Sequence, residues 1–397
     1  NRTTKFTMTE SATDKQNMIQ QAVGALQSGN SFQARGLFEK IVTFPEADPT
    51  AWLGLAFACA HQGDAEAALA AVDKLLELEP DNLRGNIFKG DHLQHMGNTR
   101  GALQFYQAAL RLAARTTDHP DDVLEGLQRA QEACKQLDSE YQEFLLKRLN
   151  DEGVNLASSS LRFRQSLDIL FGKADVYYQQ PRRFYFPALP QIQFYEREDF
   201  DWVEAVETET AAIKNELQTV LTDASRFSPY LESDGTHLSP SGTDLVDNDD
   251  WGAYYLWHYG DKNTEAEELC PTAFRALEAV PQPDIPGQAP IALFSRLQAN
   301  TRIPPHNGMV NTRLICHLPL IVPENCGAIR VGNETRPWVE GELLIFDDSM
   351  VHEAWNDSDE ERVVLLFDIW RPELTEEERV LVTTVLTAAR HYSGEDA

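Results

Sequence analysis

Apolar and small residues recur along the first third of the chain with a period of 34 residues. Gly29, Gly63 and Gly97 are separated by this interval. The same interval separates a set of alanines and a set of larger apolar or aromatic residues: Ala34, Ala68 and Ala102, then Phe38, Val72 and Tyr106. Helix pairs repeat with periods of this length, and one pair cannot bury its apolar face alone. The pattern therefore predicts a stack of helix pairs.

The period is that of tetratricopeptide repeats. We predict three repeats between about residues 14 and 113, with Gly63 in the turn of the middle repeat and Pro80 ending its second helix. A further helix, from 121 to about 149, is expected to cap the stack and complete a repeat domain over residues 14–149. Two roles fit this domain: a concave surface that binds a peptide or protein partner, and a packing or dimerisation element.

The pattern changes after residue 184 to short apolar segments separated by Gly and Pro. We interpret residues 150–184 as a helical connection that ends in a linker, Gln179 to Arg183. The predicted strands are 251–258, 291–297, 313–322, 327–331, 343–346 and 363–369. Helices are expected at 199–221 and 375–391. Many short strands with such turns are typical of an all-β double sheet, so we predict a multidomain α + β chain whose last domain covers 185–397.

Charge and cysteine usage exclude some classes of function. The 397 residues carry a net charge of -29. This charge argues against nucleic-acid binding, which needs a basic surface, and equally against binding to an anionic membrane surface. The five cysteines are scattered without metal-type spacing, as expected for reduced thiols. No apolar run has transmembrane length and no secretory signal precedes the repeats, so we expect a cytoplasmic protein.

Two histidines and an arginine in the last third are candidates for chemistry. His306 follows two prolines, His352 follows a Phe-Asp-Asp-Ser segment, and Arg362 lies ten residues further on. Neutral imidazole is a good ligand for divalent iron, and an open coordination sphere leaves room for a co-substrate and dioxygen. An arginine fork can bind a carboxylate through two hydrogen bonds.

This stretch resembles the aspartyl/asparaginyl β-hydroxylases, a family of 2-oxoglutarate-dependent oxygenases, over roughly residues 190 to 375. The matching segments occur in the family's order: His306-Asn307-Gly308, Asn311-Thr312-Arg313-Leu314, His317-Leu318, Val331-Gly332-Asn333-Glu334, Trp338-Val339-Glu340-Gly341, Phe346-Asp347-Asp348-Ser349, His352-Glu353-Ala354-Trp355-Asn356 and Arg362. The resemblance implies a double-stranded β-helix (jelly-roll) domain that uses Fe(II), 2-oxoglutarate and O2. It implies hydroxylation of an Asp or Asn side chain in a peptide or protein, with succinate and CO2 as co-products.

The resemblance also implies roles for individual residues. His306 and His352 correspond to the metal ligands, and Arg362 to the anchor of the distal carboxylate of 2-oxoglutarate. Further co-substrate contacts correspond to Ser295, Trp251 and His317. Most oxygenases of this kind carry a carboxylate ligand two residues after the first histidine, whereas this chain has Gly308; the β-hydroxylases show the same gap.

One position departs from the family. Ile315 stands where animal members carry an arginine. Arg313 lies on the same strand face, because side chains alternate along a strand, and is the candidate for supplying that charge near the co-substrate. Asp347 and Asp348 precede His352, and we interpret them as turn residues that hydrogen-bond to a histidine ring rather than as direct ligands.

Other functions remain open from the sequence. The substrate is expected to be a peptide or protein, docked on the repeat domain in one hypothesis. Alternative substrates for the same chemistry are a free amino acid, a peptide natural product or a lipid. An alternative from another class is a tetratricopeptide scaffold whose oxygenase domain is inactive.

Overall fold

The structure is a computed structural model that describes residues 3–44, 48–116, 118–233 and 244–393. The side chains of residues 3–14 and 393 are not described. The chain divides into two compact units, residues 1–167 and 168–397. In the described part of the chain, no helix is both long and apolar enough to cross a membrane.

Helices make up the first unit. They are α1 (Thr3–Gln27), α2 (Ser31–Ile41), α3 (Pro49–His61), α4 (Ala65–Leu78), α5 (Leu83–His95), α6 (Thr99–Ala113) and α7 (Asp121–Asp151). A short 3-10 turn at Leu156–Ser158 follows, and then α8 (Leu161–Leu170), within which the two units divide.

Turns between paired helices explain the 34-residue period. Gly29, Gly63 and Gly97 have φ angles of 78°, 75° and 77°, in the left-handed region that glycine adopts without strain. The next residue in each case accepts a hydrogen bond from the first turn of the following helix through its side chain: Asn30, Asp64 and Asn98. The alanines of the repeat are fully buried, at Ala34, Ala68 and Ala102, because their small side chains let the paired helices approach. The predicted helical repeats are confirmed.

Two antiparallel sheets form the second unit. The larger sheet has the strand order β1-β10-β7-β12-β5-β3-β2, with β4 paired to β3; the smaller sheet has the order β6-β11-β8-β9. The strands are β1 (Phe194–Tyr195), β2 (Ser228–Pro229), β3 (Trp251–His258), β4 (Asp261–Lys262), β5 (Ala292–Leu297), β6 (Thr301–His306), β7 (Arg313–Ile321), β8 (Ala328–Val331), β9 (Glu334–Pro337), β10 (Leu344–Phe346), β11 (His352–Asn356) and β12 (Arg362–Trp370).

The larger sheet is covered on one face by helices and on the other by the smaller sheet. The helices of this unit are α9 (Val203–Thr208), α10 (Thr210–Leu221), α11 (Thr264–Leu269), α12 (Pro271–Glu278) and α13 (Glu376–Ser393). All nine residues of β12 are buried, since both faces of this central strand are covered. Leu365 and Phe367 pack in the core shared with α10 and α12, whereas Val364 and Leu366 pack with residues of the smaller sheet. Arg362 precedes Val364 by two residues and so lies on the face toward the smaller sheet.

All six predicted strands of this unit are present, and six others were not predicted. The additional strands are the two-residue β1, β2 and β4 and the longer β6, β9 and β11. Two of them, β6 and β11, carry the candidate metal ligands. Proline at 304 and 305 removes two backbone donors from β6 and argues against a strand in the sequence; the structure places β6 at the edge of its sheet, where those donors are not needed.

Candidate active site

His306 and His352 face each other across paired strands. The register of β6 and β11 places His352 opposite His306, and the centroids of the two rings are 4.1 Å apart. The Nδ1 atoms lie 2.8 Å from the Pro304 carbonyl oxygen and 3.0 Å from the Met350 carbonyl oxygen. A carbonyl oxygen only accepts, so each Nδ1 carries the proton and donates it. Each Nε2 therefore keeps its lone pair.

Both imidazoles are held in the neutral form. Burial lowers the pKa of His306. Burial, and then the neighbouring His306, lower the pKa of His352 to about 3. Because a protonated imidazole cannot coordinate a metal, the pair is ready to bind a divalent ion at neutral pH.

The pair opens into a cavity of about 620 Å³. All seven site residues predicted from the sequence line this cavity: Trp251, Ser295, His306, Arg313, His317, His352 and Arg362. They come from six strands of both sheets, and the antiparallel registers bring them together. Asp348 also lines the cavity.

Arg362 is a buried cation at one side of the cavity. It is 1% exposed, and its Nη1 makes a single long hydrogen bond of 3.4 Å to the Ser295 carbonyl oxygen. Its Nε has no partner, and its guanidinium lies 4.6 Å from the centre of the Trp338 ring. Burial lowers the pKa of Arg362 to about 10. No carboxylate of the described residues pairs with it, so the group is suited to binding an anionic ligand.

The remaining predicted residues surround this cation and the histidines. The indole Nε1 of Trp251 donates to Ser295 Oγ at 3.3 Å. Ser295 lies directly opposite Val364 of β12. His317 is buried and its Nδ1 has no partner. Burial, and then the charge of Arg362, lower the pKa of His317 well below its ordinary value. His317 is therefore a neutral ring with an unused hydrogen-bonding atom.

Arg313 lies in the cavity wall but is already paired. Its Nη1 donates to Asp368 Oδ2 at 3.0 Å, while its Nε has no partner. Ile315, two residues further along β7, also lines the cavity. The Nη1 atom of Arg313 is thus engaged by the protein, and only the remaining donors of the guanidinium are available to a ligand near Ile315.

The two aspartates before His352 have different surroundings. Asp347 accepts hydrogen bonds from Arg371 and Gln179, each at 2.7 Å, and belongs to a buried structural network. Asp348 is buried with an unpartnered Oδ1, and burial raises its pKa to about 7. A Cβ added to Gly308 would lie 2.0 Å from Asp348 Oδ2. Asp348 therefore occupies the space into which a side chain at 308 would extend.

Sequence reasoning missed a segment that borders the site. Residues 179–184, here called the strap, were interpreted as the end of a linker, but their backbone is bound to the loops beside both histidines. The amide of Gln180 donates to the Ser349 oxygen at 2.8 Å, and the amide of Arg182 to the Gly308 oxygen at 3.0 Å. The short sequence of the strap carries no periodic signal that would have revealed these contacts.

The arrangement suits a metal held by two protein ligands. Over the described ranges, no group of three or more His, Cys, Asp or Glu side chains could hold a metal ion. Two neutral imidazoles are acceptable ligands for iron(II) and leave most coordination positions to other groups. The buried Arg362 offers a second attachment point for an anionic co-substrate in the same cavity. The donor set therefore fits iron and a carboxylate-bearing co-substrate.

The fold and site define an antiparallel β domain with a two-histidine cavity, and comparison with known families identifies it further. Residues 207–372 match the family model described as Aspartyl/Asparaginyl beta-hydroxylase. The second unit therefore contains a domain that matches the aspartyl/asparaginyl β-hydroxylase family, and helical repeats precede it. The resemblance inferred from the sequence is confirmed.

Individual relatives match this domain over part of their length. The chain is 37% identical over 140 residues to "Aspartyl/asparaginyl beta-hydroxylase" of Homo sapiens, covering 35% of this chain and 18% of that protein. It is 35% identical over 180 residues to "Ornithine lipid ester-linked acyl 2-hydroxylase" of Rhizobium tropici, covering 45% and 60%. It is 30% identical over 219 residues to "Aspartate beta-hydroxylase domain-containing protein 2" of Xenopus tropicalis, covering 53% and 56%. The chain thus spans less than two thirds of each.

Among solved structures, the chain is similar to PcrH from Pseudomonas aeruginosa, with 18% identity, a TM-score of 0.28, and coverage of 31% of this chain and 90% of that one. It is similar to the Sgt2 TPR domain from Aspergillus fumigatus with 15% identity, a TM-score of 0.28, and coverage of 32% and 82%.

Proposed function

We propose that the protein is an iron(II)- and 2-oxoglutarate-dependent dioxygenase that hydroxylates an Asp or Asn side chain of a peptide or protein. The observation that carries the proposal is one cavity with two facing neutral histidines and a buried arginine without a counter-ion. The named hydroxylases among the relatives support an enzyme of this type. In the proposal, the two sheets are the halves of a double-stranded β-helix.

His306 and His352 would hold the iron through Nε2, since each Nδ1 donates to a backbone carbonyl. Bound iron, with 2-oxoglutarate and dioxygen, supplies the oxidising power to hydroxylate an unactivated carbon. The carbonyl contacts fix the orientation of both rings, as partners of ligating histidines commonly do. The protein's part in the chemistry is to position these groups before the substrate enters.

Arg362 would bind the distal carboxylate of 2-oxoglutarate with its unused donors. Ser295 lies beside it, and the hydrogen bond from Trp251 orients the serine hydroxyl. His317 offers a further hydrogen bond from its neutral ring. Apolar side chains such as Leu366 and Ile329 line the same cavity and exclude water, which strengthens the charge-assisted contacts.

Asp348 provides a carboxyl group on the side of the site where a third metal ligand would otherwise lie. Its carboxyl lies against Gly308, at the position that carries a ligand in most related oxygenases. We assign it the role of hydrogen-bonding to water on that side of the histidine pair. This role agrees with the absence of a group of three ligating side chains in the described part of the chain.

A second substrate class has support of its own. The relative from Rhizobium tropici is named as a lipid acyl hydroxylase, and it matches a longer segment than the human relative does. The same iron and 2-oxoglutarate site would serve an acyl chain. The histidine pair and Arg362 argue against the third possibility, an inactive domain carried by a repeat scaffold.

The helical repeats are proposed to bind the peptide or protein substrate, or a partner that delivers it. Stacked helix pairs form extended surfaces suited to peptide binding. Their sequence does not specify the ligand.

The test is succinate formation from 2-oxoglutarate by purified protein supplied with iron(II) under air, with panels of Asp and Asn peptides and of acyl lipids. We expect succinate and a hydroxylated peptide, with turnover abolished in His306→Ala and in His352→Ala. His258→Ala is the control, because His258 is exposed on β3 and does not line the cavity. Hydroxylation of lipids but not peptides would select the second class, and no succinate under any condition would contradict the proposal.

A further inference from the structure

The strap fixes an arginine at the mouth of the cavity. Arg182 is exposed, and its amide is bound to the Gly308 oxygen at 3.0 Å, two residues after His306. The amide of Arg183 donates to the Met309 oxygen at 2.9 Å. Gln179 anchors the start of the strap on Asp347, beside Ser349. These contacts hold the backbone of Arg182 against the loop that leaves the first candidate ligand.

Arg182 lines the same cavity as both candidate ligands, His306 and His352. Its side chain therefore borders the space in which the reacting part of a substrate would bind.

The cavity as a whole is cationic within an acidic protein. Five arginines line it, whereas Asp348 is the single carboxylate among the described lining residues. The chain carries a net charge of -29, so this concentration of positive charge is local. Arg313 is paired with Asp368, and Arg362 is assigned to the co-substrate. Arg182 has no ion-pair partner among the residues for which the structure gives side chains.

We propose that Arg182 is a specificity-determining residue that binds the carboxylate of an acidic peptide side chain at the mouth of the cavity. The inference rests on the proposed function and deepens it, because it makes Asp the preferred target over Asn. Arg182 lies outside residues 207–372, the segment that matches the family.

The chemistry of the two side chains explains the preference. Arginine has only donors, and a carboxylate accepts two of them in parallel. The amide of Asn offers one acceptor oxygen and places an NH2 donor against the guanidinium. A positive mouth also attracts an anion during the approach from solvent, and salt screens that attraction.

The test measures peptide binding without turnover. Manganese(II) replaces iron and oxygen is excluded, and fluorescence anisotropy follows two labelled heptapeptides that differ only in a central Asp or Asn between neutral residues. We expect wild-type protein to bind the Asp peptide more tightly by about five-fold, as for one partly solvated ion pair. The preference should vanish in Arg182→Gln, persist in part in Arg182→Lys, and decrease in 0.5 M salt, roughly three times physiological ionic strength.

Two controls separate this inference from the proposed function. Arg302→Gln removes an exposed arginine on β6 that pairs with Asp357 and does not line the cavity, and it should leave the preference unchanged. Succinate formation from 2-oxoglutarate by the wild-type protein, measured separately, tests the proposed function independently of the peptide preference. Equal binding of the two peptides by wild type, tighter binding of anionic lipid vesicles than of either peptide, or a preference that survives Arg182→Gln overturns the assignment, whether or not succinate is formed.

Discussion

Replacing Arg362 by methionine should stabilise the ligand-free protein while weakening its affinity for 2-oxoglutarate. The guanidinium is 1% exposed and has no carboxylate partner in the described residues. Burial lowers its pKa to about 10, so keeping the cation in the fold costs about 3 kcal/mol. Methionine has a similar length without the charge, and we expect the free energy of unfolding to rise by up to that amount. Sites built for function commonly carry such a cost.

Arg371 is the matched control in the same unit. It is fully buried as well, but it donates to Asp347 at 2.7 Å and to the hydroxyl of Tyr195 at 2.9 Å. Arg371→Met leaves a buried carboxylate without its partner and should destabilise by about 3–5 kcal/mol. Substitution by methionine should thus raise the free energy of unfolding at Arg362 and lower it at Arg371.

Urea unfolding with and without 2-oxoglutarate measures both effects. Losing a charge-assisted contact costs about 1.5–3 kcal/mol. Since about 1.4 kcal/mol corresponds to a ten-fold change in affinity, Arg362→Met should bind 2-oxoglutarate at least ten-fold more weakly. Stabilisation by added 2-oxoglutarate should shift to correspondingly higher concentrations. A ligand-free Arg362→Met protein as unstable as Arg371→Met, or one stabilised by 2-oxoglutarate as well as wild type, would refute this reasoning.

Three further predictions follow from other contacts. Gly308→Ala and Gly308→Asp should both reduce turnover, because a Cβ there would lie 2.0 Å from Asp348 Oδ2, whereas Gly36→Ala should be harmless because nothing lies within 4 Å. The pKa of Asp348 is raised in the fold to about 7. Its contribution to stability is therefore complete below about pH 4 and is lost as the pH rises through 7. In metal-free protein, the free energy of unfolding of wild type should fall relative to that of Asp348→Asn by up to about 4 kcal/mol between pH 4 and 8. A chain beginning at Asp168 keeps the strap and should retain 2-oxoglutarate turnover, whereas one beginning at Tyr185 loses the strap and should lose that turnover; equal turnover would contradict the role of the strap.

The repeats and the central strands were predictable because their signals are local. The spacing of Gly29, Gly63 and Gly97 follows from the turn conformation that each helix pair requires. Strands such as β12 are continuous apolar runs because both faces are covered. The site residues were found through their resemblance to a family, since no periodicity indicates that His306 and His352 meet.

Other features depend on contacts between distant segments and have no local signal. Strand β6 contains two prolines and is formed because it pairs with β11 at a sheet edge. In sequence, the strap resembles a polar linker. Its position beside the site is set by hydrogen bonds to residues more than a hundred positions later in the chain. The fit of Gly308 against Asp348 likewise joins two loops. Such tertiary contacts override what composition alone would indicate.

The most direct test of the central claim is the visible absorption that develops when a 2-oxo acid chelates iron(II). Anaerobic protein loaded with iron(II) would be titrated with 2-oxoglutarate, which measures the site without turnover or substrate. We expect a charge-transfer band that saturates at one equivalent of iron per chain in wild type. The band should be absent in His352→Ala and require far more 2-oxoglutarate in Arg362→Met. No band in wild type, or an undiminished band in His352→Ala, would contradict the assignment of this cavity as an iron and 2-oxoglutarate site.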